Sequence, residues 1–371
     1  MANNQVPIAI WSPAACTSVY PSLDNIFDAW LSGAGSANNQ CATSGPAEES
    51  ALWKRLINSA TGSTLQRKTN PAACGLILAT TKGDVGALEI WIDAADQGGQ
   101  QTLPTLMSDT ANEITGKYHI GGPVFCISTA CTSSLSGLIE AAEIVRTGEV
   151  STMLVCGADV AGGMVRDGFM ALHAISPTSC KPFDTHRDGL MLGSAAAACL
   201  VCRADDARIK NESPILLDGW AITCDAVHLT APDRQGAGLT AAIRGALEMA
   251  QVQSEQIDVA LMHGTATPYN DAMEAAAIRQ IFSHRLEITA VKGLIGHTLG
   301  ASGLIETLLA DTMLRRQTIP PITGLAKPDF GDLQFVQGMP VKKKIRRVLK
   351  TASGFGGMNA AVVLRLQERG E

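Results

Sequence analysis

The segment ISTACTSSLSG, residues 127–137, sets Cys131 among small and hydroxylated side chains. A short apolar run of strand type precedes it, and apolar residues at helical spacing follow it as far as Gly148. Cys131 is therefore predicted at a strand-to-helix turn, where the unpaired backbone N–H groups of a helix N-terminus favour a thiolate and lower the pKa of the thiol. From this segment alone, a nucleophile and an inert core cysteine both remain open.

Two histidines follow apolar segments further along the chain. His263 begins HGTAT directly after the strand candidate at 259–262, and His297 ends KGLIGH. A histidine at the end of a strand is also commonly a satisfied core or surface residue. Neither histidine stands in a local His/Cys spacing typical of metal ligands, so no metal site is predicted.

Charged residues and a glycine-rich turn accompany the histidines. Asp271 and Glu274 follow His263, while Lys292 opens the KGLIGH block, which leads into a helix with Glu306. The block SGFGGMN, residues 353–359, lies between two strand-like runs, and its glycines permit a positive φ. Each block has an ordinary structural explanation when it is taken singly.

Composition narrows the class of protein. The chain has 371 residues, 46% of them hydrophobic, which suits two domains or one large two-part unit. Its net charge of −6 argues against nucleic acid as a main partner. The longest strongly apolar stretch without a charge, residues 189–202, is too short to cross a bilayer, so no membrane span is predicted.

The ten cysteines are scattered rather than arranged as a disulfide or metal framework. The one CxxC, at 199–202, lies in a strand candidate, where its two thiols would point to opposite faces, so neither a metal pair nor a redox pair is predicted. The N-terminal residues MANNQVPIAI have no basic region before their apolar run. The cysteines are therefore expected to be reduced, in the cytoplasm.

Short apolar segments alternate with amphipathic ones throughout the chain. The main strand candidates are residues 75–80, 124–128, 153–156, 195–201, 216–224, 259–262, 288–291 and 360–366, and the clearest helices are 238–250, 272–282 and 303–315. Because the strands are apolar on both faces, the pattern predicts an α/β protein whose sheet is covered on both sides. A polar break at 203–213 divides the chain near its middle.

In this order the blocks resemble the β-ketoacyl-acyl carrier protein synthases, the elongating Cys-His-His enzymes of the thiolase-fold superfamily. The matching motifs are TACTSS around Cys131, KPFDTHRDGL at 181–190, HGTATPYNDAMEA from His263, KGLIGHTLGASG from Lys292 and GFGGMN from Gly354. The resemblance extends from about residue 124 to the C-terminus and is weak before residue 75. It implies a thiolase-like five-layered αβαβα fold made of two similar halves, residues 1–205 with the nucleophile and 206–371 with the catalytic histidines.

The resemblance also implies a reaction. Cys131 would accept an acyl group from a thioester, and a malonyl-acyl carrier protein would then lose carbon dioxide. The resulting carbanion would attack the acyl group on Cys131 in a decarboxylative Claisen condensation that gives a β-ketoacyl-acyl carrier protein. No cofactor is expected beyond the phosphopantetheine that carries the substrates.

Roles at the reacting atoms follow from the resemblance and from where charge develops. His263 and His297 would donate to the enolate oxygen, and the backbone N–H groups of Cys131 and Phe355 would form an oxyanion hole. Lys292 would hold the site, with Glu306 as its partner.

Other residues would support the substrates. Thr265 and Thr267 would bind the pantetheine arm, Phe355 would also gate the acyl pocket, and Phe169 would line it. Asp271 and Glu274 would be supporting acids.

The sequence argues against two related kinds of enzyme. A degradative thiolase needs a second cysteine near its C-terminus, but the last cysteine here is Cys224, and a Cys-His-Asn enzyme would not carry His297 in GHTLGASG. The alternative from another class is a non-catalytic partner subunit of the chain-length-factor kind. Departures from the family pattern at residues 193–196 and at Ser353 bear on acyl-chain length and dimer contacts, and they point to a specialised polyketide or polyene pathway.

The expected partners are an acyl carrier protein and a second subunit, in a homodimer or a heterodimer with a related ketosynthase-like chain. Carriers are acidic, so docking on an acidic protein requires a local basic patch. Two clusters are candidates, the first Lys54, Arg55, Arg67 and Lys68, and the second Lys342, Lys343, Lys344, Arg346 and Arg347. The first cluster is favoured, and a solvated surface is the alternative for either.

Overall fold

A computed structural model describes residues 7–33, 45–65, 70–99, 102–104, 106–209 and 212–367. The strands in these ranges are β1 Ile8–Thr17, β2 Cys74–Ala79, β3 Val124–Ile127, β4 Thr152–Asp159, β5 Ala195–Arg203, β6 Ile215–Cys224, β7 Val259–Leu261, β8 Glu287–Thr289, β9 Thr318–Ile319, β10 Gln334–Phe335, β11 Val341–Lys342, β12 Val348–Gly354 and β13 Met358–Leu366. The helices are α1 Leu23–Leu31, α2 Pro46–Leu65, α3 Val85–Asp96, α4 Leu106–Tyr118, α5 Ser133–Thr147, α6 Gly163–Ala171, α7 Ala237–Ala250, α8 Pro268–Ile281, α9 Lys292–Ile295 and α10 Ser302–Arg316.

Eleven of these strands form one sheet with a repeated pattern. Their order is β10-β8-β7-β12-β13-β6-β1-β5-β4-β2-β3. In the first half, β3, β2 and β4 are parallel, and β5 and β1 continue the sheet antiparallel. In the second half, β8, β7 and β12 are parallel, and β13 and β6 continue it antiparallel. The two halves therefore share one strand arrangement and join where β1 pairs with β6.

Three apolar clusters separate the layers. One lies between the first half of the sheet and helices α2 and α4, and another lies between the second half and helices α7 and α8. The third and largest surrounds α5 and α10, which pack between the inner faces of both halves. The order of layers is thus helix, sheet, helix, sheet, helix, which is the five-layered α/β fold that the family resemblance implies.

Alternation along the strands assigns side chains to these clusters. Cys199 of β5 belongs to the central cluster and Cys202 to an outer one, so the CxxC thiols do point to opposite faces. The helix after Cys131 ends at Gly148, whose φ of 83° is left-handed, as the sequence predicts for a glycine at a helix C-terminus.

All eight strand candidates and all three helix candidates correspond to observed elements, with ends that differ by a few residues. The sequence did not predict β1 or helices α1–α4, which lie in or near the region where the family resemblance is weak. The division of the chain at residues 205 and 206 stays a prediction.

The two central helices touch at the level of their backbones. An added Cβ on Gly303 of α10 would lie 2.6 Å from Leu135 Cβ and 2.8 Å from Leu135 N on α5. Ser134 Oγ accepts a hydrogen bond from Leu304 N at 2.9 Å across the same contact. A glycine at position 303 therefore sets the spacing of the central layer.

Gly303→Ala should lower the free energy of unfolding by about 1–3 kcal/mol, because the added methyl group overpacks this contact. Gly116→Ala is the matched control, since Gly116 lies on the exposed face of α4 and a Cβ there would meet nothing within 4 Å. The control should be neutral or stabilising by up to about 1 kcal/mol. Denaturant unfolding measures both variants, and equal stabilities for the two would contradict this account of the central layer.

Candidate active site

The predicted site residues converge at the carboxyl ends of parallel strands, where α/β proteins usually build their sites. Cys131 lies between β3 and α5, and His263 follows β7. Lys292 begins α9 just after β8, and His297 lies between α9 and α10. Phe355 follows β12 directly, so both halves of the chain contribute to one site.

Cys131 and His297 are in direct contact. His297 Nε2 lies 3.1 Å from Cys131 Sγ, although the two residues are 166 positions apart. On the other side of the ring, Leu299 N donates to His297 Nδ1 at 3.3 Å, and Ser302 Oγ lies 3.1 Å from the same nitrogen. Because a backbone N–H can only donate, Nδ1 is an acceptor, and the neutral ring carries its proton on Nε2, facing the sulfur.

His263 has the same orientation for a different reason. Lys292 Nζ lies 3.1 Å from His263 Nδ1, and an ammonium group can only donate. The neutral ring of His263 therefore also carries its proton on Nε2. The His263 and His297 rings lie 5.2 Å apart between centroids and are nearly perpendicular, at 87°.

Lys292 is fully buried and bound on three sides. Besides the ring nitrogen, its Nζ donates to His263 O at 2.6 Å and to Glu306 Oε1 at 2.6 Å. The Lys292–Glu306 pairing suggested by the sequence is thus present. A second buried lysine, Lys350 of β12, lies 2.6 Å from Glu306 Oε2, and nothing in the sequence had assigned it to the site.

Burial lowers the pKa of both histidines well below the ordinary value, and the nearby Lys292 and Lys350 ammonium groups lower it further. Two cations next to an imidazole disfavour a third positive charge. His263 and His297 are therefore neutral near pH 7 and present two N–H donors to the same space.

The expectation of a lowered pKa for the Cys131 thiol is wrong. Burial raises the pKa of Cys131 to about 11, and Asp159 adds to the rise. Lys292 and the backbone N–H groups of Phe355 and Cys131 oppose it but do not outweigh desolvation. Cys131 is thus a thiol near neutral pH. The sequence pattern located the helix N-terminus but not the depth of the sulfur.

The backbone donors predicted for an oxyanion hole, Cys131 N and Phe355 N, both face the Cys131 sulfur. Gly354 permits this approach, since a Cβ at that position would lie 3.1 Å from Cys131 N. The arrangement fits a site that stabilises negative charge on an atom next to the sulfur.

Glu274 and Asp271 hold the backbone around His263 rather than the reacting atoms. Glu274 accepts from His263 N and Gly264 N at 2.7 Å each, and Asp271 accepts from Phe183 N at 2.7 Å and from Ala266 N at 3.2 Å. Burial raises the pKa of Glu274 to about 7 and that of Asp271 to about 6.

A cavity of about 370 Å³ opens onto these groups. Cys131, His263 and His297 line it, together with Thr265, Thr267, Phe169 and Phe355. The rings of Phe169 and Phe355 stack at 5.6 Å, and Thr265 Oγ1 lies 2.9 Å from Thr267 Oγ1. A larger cavity of about 470 Å³, around Phe282 and His284, contains none of these residues.

Besides Lys350, sequence reasoning missed Ser302 and Asp159. Asp159 is fully buried at the end of β4, and it accepts from Gly300 N at 2.7 Å and from Lys82 Nζ at 3.0 Å. It thereby ties the loop after His297 to the first half of the chain. A buried acid at the end of an apolar strand is the signal that could have identified it.

Within the described ranges, no group of three or more His, Cys, Asp or Glu residues is arranged to hold a metal ion. In the same part of the chain, none of the helices has the length and apolar character needed to cross a bilayer.

Two family models match most of the chain. The model described as "Beta-ketoacyl synthase, N-terminal domain" matches residues 43–207, and "Beta-ketoacyl synthase, C-terminal domain" matches residues 216–326. The chain is 30% identical over 315 residues to the 3-oxoacyl-[acyl-carrier-protein] synthase 2 of Coxiella burnetii, covering 80% of this chain and 76% of that one. It is 30% identical over 329 residues to a putative polyketide beta-ketoacyl synthase 1 of Streptomyces halstedii, covering 81% and 77%.

The fold is also similar to that of a solved ketosynthase. A ketosynthase from Xenorhabdus doucetiae, determined in complex with its chain length factor, superposes with a TM-score of 0.78 over 99% of each chain at 24% identity. This similarity concerns the fold alone.

The raised thiol pKa predicts how Cys131 reacts with iodoacetamide. The alkylation rate should rise about tenfold per pH unit between pH 7 and 9 without a plateau, because the reactive thiolate stays a minor species until the pH nears the thiol pKa. Peptide mass spectrometry after timed quenching gives the rate for Cys131 separately from the exposed Cys224. A plateau below pH 8 would show a stabilised thiolate and contradict the present electrostatic account.

Proposed function

This chain belongs to the β-ketoacyl synthase family, and from that premise we propose that it condenses an acyl thioester with malonyl-acyl carrier protein. The product is a β-ketoacyl-acyl carrier protein, made in fatty acid or specialised polyketide or polyene synthesis. The observation that carries the proposal is the convergence of Cys131 with two neutral histidine N–H donors in one cavity.

The first step transfers the acyl group to Cys131. The Cys131 thiol loses its proton to water, and the thiolate attacks the thioester carbonyl and expels the carrier thiolate, which regains a proton from water. His297 is poorly suited to act as the base, because its Nε2 already carries a proton. The backbone N–H groups of Cys131 and Phe355 are available to the negative oxygen of the tetrahedral intermediate.

The second step breaks the bond between the malonyl carboxylate and its methylene carbon. Carbon dioxide leaves, and the electron pair passes to the thioester oxygen as an enolate. Two N–H donors facing that oxygen, from His263 and His297, would stabilise the charge without a proton transfer. Loss of one such donor typically lowers kcat about 100-fold to 1000-fold.

The third step forms the new carbon–carbon bond. The enolate carbon attacks the acyl group on Cys131, and collapse of the intermediate expels the Cys131 thiolate. The oxyanion hole of the first step serves again, so the cycle needs no residue that changes role. Thr265 and Thr267 line the same cavity and are proposed to bind the pantetheine arm.

A non-catalytic, chain-length-factor-like role is less well supported. A subunit without catalytic activity has no chemical need for a buried lysine in contact with a histidine. It also has no need for a second histidine in contact with a cysteine. Each of these buried polar groups costs free energy unless it is paired. The complete set in one cavity therefore favours the enzyme.

We further propose a dimer and an acyl carrier protein as partners. Strand β3 is the last strand of the sheet, and Val124 and Phe125 on it are 41% and 40% exposed, which suits pairing with a second copy or a related subunit. Lys54 and Arg55 lie on the exposed side of α2, whereas Arg67 and Lys68 fall outside the described residues. Docking through the first basic cluster and a cytoplasmic location both stay predictions.

Cys131→Ala should abolish formation of an acyl-enzyme and all condensation, since Cys131 is the only cysteine among the described residues that line the cavity. Intact-protein mass spectrometry after incubation with an acyl donor measures the acyl group. Cys202→Ala, which removes a buried thiol from an outer apolar cluster, is the matched control and should acylate normally. Acylation of Cys131→Ala at the wild-type level would refute the assignment, and a wild-type protein that never acylates would favour the partner-subunit role.

His263→Ala and His297→Ala should each slow malonyl decarboxylation about 100-fold or more, because each removes one donor to the enolate. Acyl transfer to Cys131 should fall much less in both variants. Single-turnover assays follow carbon dioxide release and acyl-enzyme formation separately. A variant that loses acyl transfer while it keeps decarboxylation would contradict the roles given to the two rings.

A further inference from the structure

Lys350 is a buried cation that the proposed steps do not use. It lies in the middle of β12, between apolar strands, where it is opposite Val362 of β13 and Leu261 of β7. Its side chain is fully buried, and its Nζ lies 2.6 Å from Glu306 Oε2 and donates to Thr351 O. Burying an ammonium group in such a place costs free energy, and pairing with Glu306 offsets only part of that cost. The presence of a lysine at this position therefore requires an explanation.

Glu306 connects two lysines with its two oxygens. Oε1 accepts a hydrogen bond from Lys292 Nζ, and Oε2 forms an ion pair with Lys350 Nζ, each at 2.6 Å. Neutralising one carboxylate requires one cation, so this group of three residues carries one positive charge in excess. That excess lies directly behind His263, which Lys292 contacts through the same nitrogen.

The neighbouring elements contribute several other titratable groups. Around the histidines, these groups are Glu274 and Asp271 on α8, Asp159 at the end of β4, Cys131 before α5, and the two imidazoles themselves. Glu274 binds backbone N–H groups, as Asp159 does on the other side of the site. Both acids partly oppose the lysines, so a single lysine would leave a weaker positive field at the rings.

We propose that Lys350 is a second positioning residue of the site, one that pairs with the outer oxygen of Glu306 and adds positive charge behind His263 and His297, which disfavours protonation of the buried rings. It touches neither the cavity nor the reacting atoms, and it acts through Glu306 and Lys292. Consistent with this role, Lys350 is among the groups that lower the pKa of both histidines. The catalytic consequence of this inference rests on the proposed function. The effect of Lys350 on protonation of the two histidines does not depend on that function.

The sign of the effect is fixed by electrostatics. Removing the positive charge of Lys350 makes imidazolium less unfavourable, so the pKa of each histidine should rise. The fraction of neutral histidine then falls on the acidic side, and the acidic limb of the decarboxylation rate should move to higher pH. A lysine that merely supports packing would lower the rate by the same factor at every pH.

The experiment compares Lys350→Met with Lys350→Arg, which keeps the charge, and with Lys117→Met, which removes an exposed lysine on α4. NMR titration of carbon-labelled histidine follows the rings, and His263→Ala and His297→Ala spectra identify their signals. In Lys350→Met the midpoints of both rings should move to higher pH, and the acidic limb of the decarboxylation rate should move with them. Lys117→Met should match the wild type, and Lys350→Arg, which keeps the charge, should keep the histidine midpoints close to the wild-type values.

A double variant separates charge from packing. Glu306→Gln with Lys350→Met has the same net charge as the wild-type trio but lacks the Lys350 contact, so its histidine midpoints should return toward the wild-type values. The proposal would be overturned if the histidine midpoints of Lys350→Met equalled those of the wild type. It would also be overturned if the midpoints of the double variant equalled those of Lys350→Met. A wild-type protein that neither decarboxylates nor condenses would refute the proposed function and the catalytic role, whereas the titration would still decide the charge effect.

Discussion

The contact between α5 and α10 is the constraint on which the site depends. Cys131 precedes one helix and His297 precedes the other, and the two side chains meet because the helices approach to backbone distance at Gly303 and Leu135. The two halves of the sheet wrap around these two helices and bury most of their residues. A wider separation of the helices would move the His297 ring away from the Cys131 sulfur. The packing of the central layer therefore also sets the geometry of the site.

Because the site is so deeply buried, its charged groups are tolerated only when they are paired with opposite charges. Lys292, Lys350 and Glu306 are each at most 1% exposed, and each would be strongly destabilising alone. Together they form a rigid unit that spans α9, α10 and β12 and fixes Lys292 on His263. Removal of Glu306 would leave two buried ammonium groups without their acid, whereas removal of either lysine would leave one lysine paired with Glu306.

The sequence predicted the alternation of strands and helices, the turn that carries Cys131, and the strand end that carries His263, because each depends on local periodicity. The Lys292–Glu306 pair was accessible because both residues belong to one continuous block. Lys350 was not, since a lysine in an otherwise apolar strand gives no sign of which acid it meets across the fold. The depth of Cys131 was equally hidden: the helix N-terminus is a local feature, whereas desolvation depends on the second half of the chain.

The raised thiol pKa and the lowered histidine pKa values fit one chemical purpose. A condensing enzyme must stabilise an enolate without protonating it, because protonation at carbon would end the cycle before the new bond forms. An imidazolium is a strong enough acid to deliver that proton near neutral pH, whereas a neutral imidazole N–H donates a hydrogen bond and keeps its proton. Burial, together with the two lysines behind the histidines, keeps the rings in the neutral form. The same burial leaves Cys131 as a thiol in the resting enzyme, and this costs little, because the acylated sulfur carries no charge when the enolate is made.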